Sequence, residues 1–290
     1  MHEALDHALA ETLAAAHPAA FAEQAALLDG RLEPAAVLRA FALAPRRFPG
    51  RSPAPVPPAL DPHGVLARWP DAARARLQLL RGAEARLEAA AFDALLDTLF
   101  ASADVAETVF LAQALPFLRE PLRQLDHARA CARSNMPPVF SAVAHDNDLP
   151  RRAFDQNAWN QLVLKAAFLG EPIWNIPGLA ERNNPELVQM LRRYVDERRA
   201  AGRDLPWDLW ACIGWLAGPE ERAFLSEQFE QERGRAAAAI ALALLENAAE
   251  ASRVLGRRFM TRDDVAALVP LSWPRLAEAA EALPAAAGAS

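Results

Sequence analysis

The chain has 290 residues, 52% hydrophobic and 23% charged, and its formal net charge is −6 at pH 7. This acidic balance argues against a nucleic-acid-binding protein, which needs a basic surface for the phosphate backbone. Glycine is sparse at 12 residues, good helix formers dominate, and no segment alternates polar and β-branched residues as strands do. The composition therefore predicts an all-α protein.

The N-terminal segment, residues 1–43, is predicted to form short helices that break at Pro18 and stop at Asp29 and Gly30. It lacks a basic start followed by an uninterrupted apolar run, so we predict no signal peptide. The longest apolar run, residues 236–245, is too short to span a bilayer. These features predict a soluble, cytoplasmic protein.

A proline-dense segment follows at residues 44–62, with the sequence APRRFPGRSPAPVPPALDP. Proline fixes φ and removes the backbone donor that a helix needs. We therefore predict an extended linker that lies on the body of the protein. Contact between its arginines and an acidic partner is the alternative interpretation.

The body is predicted to run from residue 63 to residue 260 as amphipathic helices joined by short turns. Helices stacked in pairs predict a HEAT-like right-handed α-solenoid, or helical-repeat bundle, although no sequence period repeats. Residues 261–290 are predicted to add a C-terminal helix, with Asp263 and Asp264 in its first turn, and a frayed tail from residue 284.

The central segment, residues 154–210, holds four of the seven Trp residues. On a helical wheel, residues 157–170 place apolar side chains on one face. The opposite face mixes Asn160 and Lys165 with large apolar side chains instead of carrying only charges. We therefore predict a helix covered on both sides, which forms a structural hub or walls a polar pocket. The predicted hub residues are Trp159, Phe168, Trp207 and Trp210.

Several separated motifs resemble the EboA family. WNQLVLKAAFLG at 159–170 resembles its core motif, and further blocks follow the family order. These are FALAPRRF (41–48), ADVAETVFLAQALPFL (103–118), RSNMPPVFSAVAHDNDLP (133–150), and NPEL with ERRAAGR and LW (184–210). The resemblance runs from about residue 37 to residue 245. Arg199 and Ala211 depart from it, because the family usually has Trp and a basic residue at these positions.

The resemblance implies a role in making or exporting a small metabolite. The family accompanies genes for a UbiA-type prenyltransferase and for proteins like dehydroquinate synthase, sugar isomerases and TatD. It therefore implies partners among the other proteins of the Ebo pathway. It supplies no catalytic residue that could be carried over to this chain.

The candidate ligand-binding residues are polar side chains of the central part of the chain. They are Asn135, His145, Asn147, Asn160, Lys165, Asn184 and Glu186. The run from His145 to Asp148 offers a base and two carboxylates for acid–base work or a hard metal, but its composition favours a helix end and a turn. Asn160 and Asn184 could anchor the turn between two helices instead of a ligand.

Lys165 could bind a phosphate or carboxylate, or form a Schiff base, but an ion pair with Glu186 or Asp155 is the favoured interpretation. Cys131 and Cys212 are predicted to be reduced core thiols. No motif indicates a metal or a cofactor, and we expect none. The sequence thus predicts a non-catalytic binding or scaffold component of an Ebo-type pathway. The alternative is an enzyme that acts on a small polar or phosphorylated metabolite through Lys165 and His145.

Overall fold

A computed structural model of the chain describes residues 2–53 and 56–279, so the predicted frayed tail lies outside the described residues. Within these ranges the chain forms α-helices and short 3-10 turns, and it forms no β-strand. The predicted all-α class is confirmed. The chain divides into two compact units, Met1–Phe154 and Asp155–Ser290, and the division falls inside the predicted body of residues 63–260.

The first unit is built around its fifth helix, which contacts the first, second, third and sixth. Its helices are α1 (His2–Ala16), α2 (Pro18–Asp29), α3 (Pro34–Arg47), α4 (Val65–Arg68), α5 (Asp71–Glu84), α6 (Ala89–Ser102), α7 (Val105–Ala114), α8 (Leu125–Ala132), α9 (Pro137–Ala144) and α10 (Leu149–Ala153). Two 3-10 turns lie at Leu115–Phe117 and Pro121–Gln124. The predicted N-terminal helices therefore pack on the start of the body.

The proline-dense segment is helical at its start, so the prediction of an extended linker is wrong for residues 44–47. Helix α3 continues to Arg47 and contains Pro45. Proline lacks the N–H that would bond the carbonyl of Phe41, four residues earlier. Arg76 of α5 replaces it, because its Nε donates to the Phe41 carbonyl oxygen over 3.0 Å. A distant side chain thus satisfies the carbonyl that the proline would leave without a donor.

Ser52 ties this segment to α5 through the buried carboxylate of Asp71. The backbone N–H and the hydroxyl of Ser52 donate to Asp71 over 2.7–3.1 Å. Arg74 bonds both Asp71 and the Ser52 carbonyl, and His17 approaches Asp71 at 3.0 Å. Burial alone would raise the pKa of Asp71, but the hydrogen bonds and the charge of Arg74 outweigh burial and lower it.

The second unit is organised around a helix that is apolar on nearly all sides, α16, which contacts its neighbours α14 and α17. Its helices are α11 (Gln156–Leu169), α12 (Leu179–Arg182), α13 (Pro185–Ala200), α14 (Trp210–Trp215), α15 (Pro219–Gln231), α16 (Gly234–Leu245), α17 (Glu250–Phe259), α18 (Asp263–Ala266) and α19 (Trp273–Glu278). A Cβ on Gly214 would lie 2.4 Å from that of Ala243, so glycine is required for the close approach of α14 to α16. The predicted single C-terminal helix is two short helices, α18 and α19.

Each unit ends one of its helices with the same asparagine arrangement. Asn147, after α9, donates to the Ala112 carbonyl near the end of α7 and accepts from the backbone N–H of Leu149, both over 2.8 Å. Asn247, after α16, donates to carbonyls at the end of α14 and accepts from the N–H of Ala249 over 2.7 Å. Carbonyls at a helix C-terminus lack helical partners, so each asparagine joins two helix ends.

Candidate ligand-binding site

The first unit contains a cavity of about 210 Å³. Its lining combines apolar side chains with charged ones. The residues are His2, Leu5, Ala59, Leu60, Pro62, His63, Arg81, Pro116, Phe117, Leu118, Asp146, Asp148 and Arg152. They come from α1, the proline-dense segment and the residue after it, α5, the first 3-10 turn and its end, and α10 with the loop that leads into it. This cavity is called the first-unit pocket below.

Asn147 fixes the acidic loop at the pocket. Its side chain is buried, and its bonds to Ala112 and Leu149 hold the loop between α9 and α10. The flanking carboxylates, Asp146 and Asp148, both line the pocket. For this run the sequence allows two interpretations, a turn or a charged site. In the structure the run forms a turn, and the turn positions both carboxylates at the pocket.

Asp146 belongs to a chain of hydrogen bonds at the pocket wall. One carboxylate oxygen accepts from Arg68 over 2.7 Å, and the other accepts from the Gln113 amide over 2.8 Å. Gln113 in turn accepts from the indole N–H of Trp69 over 2.9 Å. The negative charge of Asp146 is therefore balanced before any ligand arrives.

Asp148 and His63 form the second polar part of the lining. Asp148 accepts from Nε of Arg151 over 2.9 Å, so its charge is also balanced. Nε2 of His63 lies 3.9 Å from Oδ1 of Asp148, is buried, and forms no hydrogen bond to the described residues. Buried polar atoms in folded proteins nearly always have a partner. His63 therefore leaves one unused polar atom at the pocket.

The two arginines of the lining differ in their bonding. Arg81 is buried and fully engaged: it donates to Asp6 over 2.6 Å and to the backbone carbonyls of His2 and Phe117. Arg152, on α10, is exposed, and its guanidinium has no hydrogen bond or ion pair within the described residues. Within the described part of the lining, Arg152 is thus a cation that is available to a ligand.

The lining combines apolar surface with a few charged and polar side chains. Half-buried Leu60 and Phe117 and buried Leu5 and Leu118 supply apolar surface. A small cavity with apolar walls and a few polar groups is typical of a metabolite site.

Of the predicted ligand-binding residues, Asn135, His145 and Asn147 lie in the first unit. Asn135 is exposed and His145 is half-buried at the C-cap of α9. None of the three lines the pocket itself, although His145 and Asn147 adjoin residues that do. The signals missed in the sequence were His63, in the turn after the proline-dense segment, and Arg152, in the pair of arginines after Pro150.

The second unit brings Asn160 and Asn184 together. The Asn160 side chain is 0% exposed and exchanges amide hydrogen bonds with Asn184, at 2.8 Å and 3.4 Å. Asn184 also caps α13 by accepting from the Leu187 N–H, and it donates to the Arg182 carbonyl. The pair thus joins α11 to the start of α13.

Glu186 and Lys165 are placed differently. Glu186 is exposed and accepts from the Gln156 amide over 2.8 Å. Lys165 is half-buried on α11. Lys165 belongs to the second unit and His145 to the first. The alternative function, an enzyme that uses both residues, remains a prediction.

Only some of the predicted hub residues are buried in the core. Trp159 and Trp210 are fully buried, whereas Trp207 is half-buried and stacks under Arg235 at 4.7 Å. Phe168 is 60% exposed and touches only the edge of Tyr194 among aromatic rings of the described chain, with centroids 4.9 Å apart. The prediction that this helix is covered on both sides is therefore wrong at Phe168.

The second unit also holds a buried carboxylate that was not predicted from the sequence, that of Asp208. It accepts from the backbone N–H groups of Ile173 and Trp174 over 2.6 and 3.1 Å, which fixes the loop after α11. Burial raises the pKa of Asp208, and the two N–H donors and nearby Arg235 oppose that rise. The sequence does contain a signal, because Asp208 lies between Trp207 and Trp210.

The described residues also bear on the other sequence predictions. Cys131 and Cys212 are buried free thiols, and burial raises the pKa of Cys131 to about 11 and that of Cys212 further. No group of three His, Cys, Asp or Glu side chains within residues 2–53 and 56–279 could hold a metal ion. Every helix of the described chain is too short or too polar to cross a membrane.

Within the described residues the chain is all-helical, and its first unit holds a small, partly apolar cavity. The model of a protein family described as metabolite traffic protein EboA matches residues 63–214, more than half of the 290 residues. The chain belongs to the EboA family. The match includes the charged pocket residues from His63 to Arg152. No curated protein and no solved structure matches the chain.

Proposed function

We propose that this protein is a non-catalytic binding component of metabolite traffic, and that the first-unit pocket holds the metabolite. The family name supports a metabolite-related role. The observation that carries the proposal is the chemistry of the pocket lining. The lining combines apolar side chains with charged side chains, most of which are paired with other residues of the protein. Its volume of about 210 Å³ lies below the range of roughly 300–1,000 Å³ for drug-sized ligands and suits a small molecule or part of one.

The protein would hold the metabolite in the cytoplasm and pass it to other proteins of an Ebo-type pathway in secondary metabolism. A metabolite with an apolar substituent, such as a prenyl group, would use the walls formed by Leu60 and Phe117. A scaffold role fits the same arrangement, because helices that contact one another leave outer faces for partner proteins.

We also propose a HEAT-like, right-handed helical repeat for the chain. Contacts between neighbouring helices in chain order, such as α1 with α2 and α16 with α17, support it. An experimentally determined structure tests this arrangement directly. A bundle without a regular helix-pair repeat would contradict it.

The binding role is tested by closing the pocket. Leu60→Trp places a larger side chain in the lining, and Leu122→Trp, at a residue that is 55% exposed outside it, is the matched control. Each protein is purified from its natural host and its bound small molecules are identified by mass spectrometry. We expect wild type and Leu122→Trp to carry the same molecule and Leu60→Trp to lose it. Equal occupancy of all three proteins, or none in any, would overturn the proposal.

A further inference from the structure

We propose that the first-unit pocket selects a small anion, a carboxylate or a phosphate, that carries a short apolar body, with Arg152 as the group that binds its charge. This inference rests on the proposed function, because it names the class of metabolite that the same pocket takes. It follows from the charges of the lining and from the hydrogen bonds that those charges already make.

The acidic side chains of the pocket are neutralised by the protein. Asp146 is paired with Arg68 at 2.7 Å, and Asp148 is paired with Arg151 at 2.9 Å. A ligand cation that approached either carboxylate would have to compete with an arginine that is already in place. The two carboxylates therefore offer little to a cationic ligand.

The basic side chains leave an excess of positive charge. Arg81 is paired with Asp6 at 2.6 Å, but the same Asp6 also pairs with Arg119. Arg152 has no ion pair or hydrogen bond from its guanidinium within the described residues, so its charge has no partner at the pocket. An anion is the ligand that this guanidinium recognises, since its planar N–H groups match carboxylate and phosphate oxygens.

Nε2 of His63, the polar atom of the lining that makes no hydrogen bond in the described structure, supports the assignment of an anionic ligand. Nε2 of His63 is buried without a hydrogen bond in the described structure and lies 3.9 Å from Asp148. A ligand oxygen near the imidazole would give it the partner that buried nitrogens need. The apolar wall of Leu5, Leu60 and Leu118 would cover a carbon chain attached to the anion.

The test uses the full-length protein and three probes of one length, namely hexanoate, hexyl phosphate and hexanamide, with affinities measured by calorimetry at low ionic strength. We expect at least one anion to bind the wild-type protein about five- to tenfold more tightly than the neutral amide does, the gain for a charged hydrogen bond at an exposed arginine. The carboxylate and phosphate arms show which anion is preferred. High salt should remove most of the difference, because ions screen an exposed charge.

Three variants assign the effect. Arg152→Gln should weaken the preferred anion by the same five- to tenfold and leave hexanamide unchanged, whereas Arg152→Lys should retain most of the anion affinity. Arg39→Gln changes the net charge equally at an exposed arginine of α3 outside the lining and should behave as wild type. Wild-type protein that binds the amide as tightly as both anions, or binds no probe, overturns the inference.

Two outcomes separate this inference from the proposed function. If hexanamide binds wild type and is excluded by Leu60→Trp, while neither anion binds better, the pocket is a ligand site but does not select a charge. If no probe binds, although Leu60→Trp alone loses the small molecule carried from the host, the proposed function again stands and the anion assignment falls.

Discussion

The amide pair of the second unit allows a prediction in which two substitutions at one contact have unequal costs. Asn160→Leu removes one good hydrogen bond to Asn184, at 2.8 Å, and one long contact, at 3.4 Å. Asn184 keeps its bonds to the Arg182 carbonyl and the Leu187 N–H. Because no group of Asn184 is left entirely without a partner, we expect a loss of roughly 1–2 kcal/mol in the free energy of unfolding.

Asn184→Ala should cost more. It removes both hydrogen bonds of the Asn160 amide. Because this amide is 0% exposed, water cannot replace them. An orphaned buried group costs roughly 1–3 kcal/mol, and the lost N-cap of α13 adds about 1 kcal/mol. The expected total is roughly 2–4 kcal/mol. The double variant should cost less than the two single costs summed, since both remove the same contact.

Urea unfolding followed by tryptophan fluorescence and circular dichroism measures these differences. Gln156→Ala is the control, because Gln156 is an exposed amide on the same helix and should change stability by less than about 0.5 kcal/mol. Single costs that simply add, or an Asn160→Leu variant that loses more than Asn184→Ala, would refute the reasoning from these hydrogen bonds.

Three further predictions concern burial and the linker. Trp159→Ala should cost roughly 3–5 kcal/mol in urea unfolding, because the side chain is 0% exposed; a wild-type midpoint would contradict it. Cys131 and Cys212 should not react with a thiol reagent at pH 8 in the native protein but should react in urea, since burial raises both pKa values; rapid native labelling would contradict this. Asp71→Asn should speed tryptic cleavage within residues 44–62. It should also remove a part of stability that wild type loses as pH falls below about 3.8, because the pKa of Asp71 is lowered by folding; unchanged cleavage and an unchanged acid limb would count against it.

Helical periodicity predicted both the fold class and the burial of Asn160, because the position of a residue on a helical wheel is a local property. It failed at Phe168, since a wheel shows which residues share a face but not whether another element covers that face. The prediction of an extended linker, which rested on proline chemistry and not on periodicity, failed at Pro45. The donor that compensates for this proline is Arg76, 31 residues further along the chain, and no local pattern can reveal it.

The candidate site was predictable only in part. The acidic run after α9 was recognised from its composition, and its asparagine does form the turn. The pocket itself was not predictable, because its walls come from five separated stretches of the first unit. Arg152 shows the reason most clearly. Arg151 pairs with Asp148, whereas its neighbour Arg152 does not, and no local pattern shows which of two adjacent arginines will form an ion pair.

The two asparagines that follow α9 and α16 allow the local opening of one turn in each unit to be compared within one molecule. The backbone N–H of Leu149 is held by Asn147, and that of Ala249 is held by Asn247, over 2.8 and 2.7 Å. Each N–H can exchange its hydrogen with solvent deuterium only when its own clamp breaks. The ratio of the two exchange rates therefore compares the local opening of the two turns within one molecule, under one set of conditions, with the same bond chemistry in both turns.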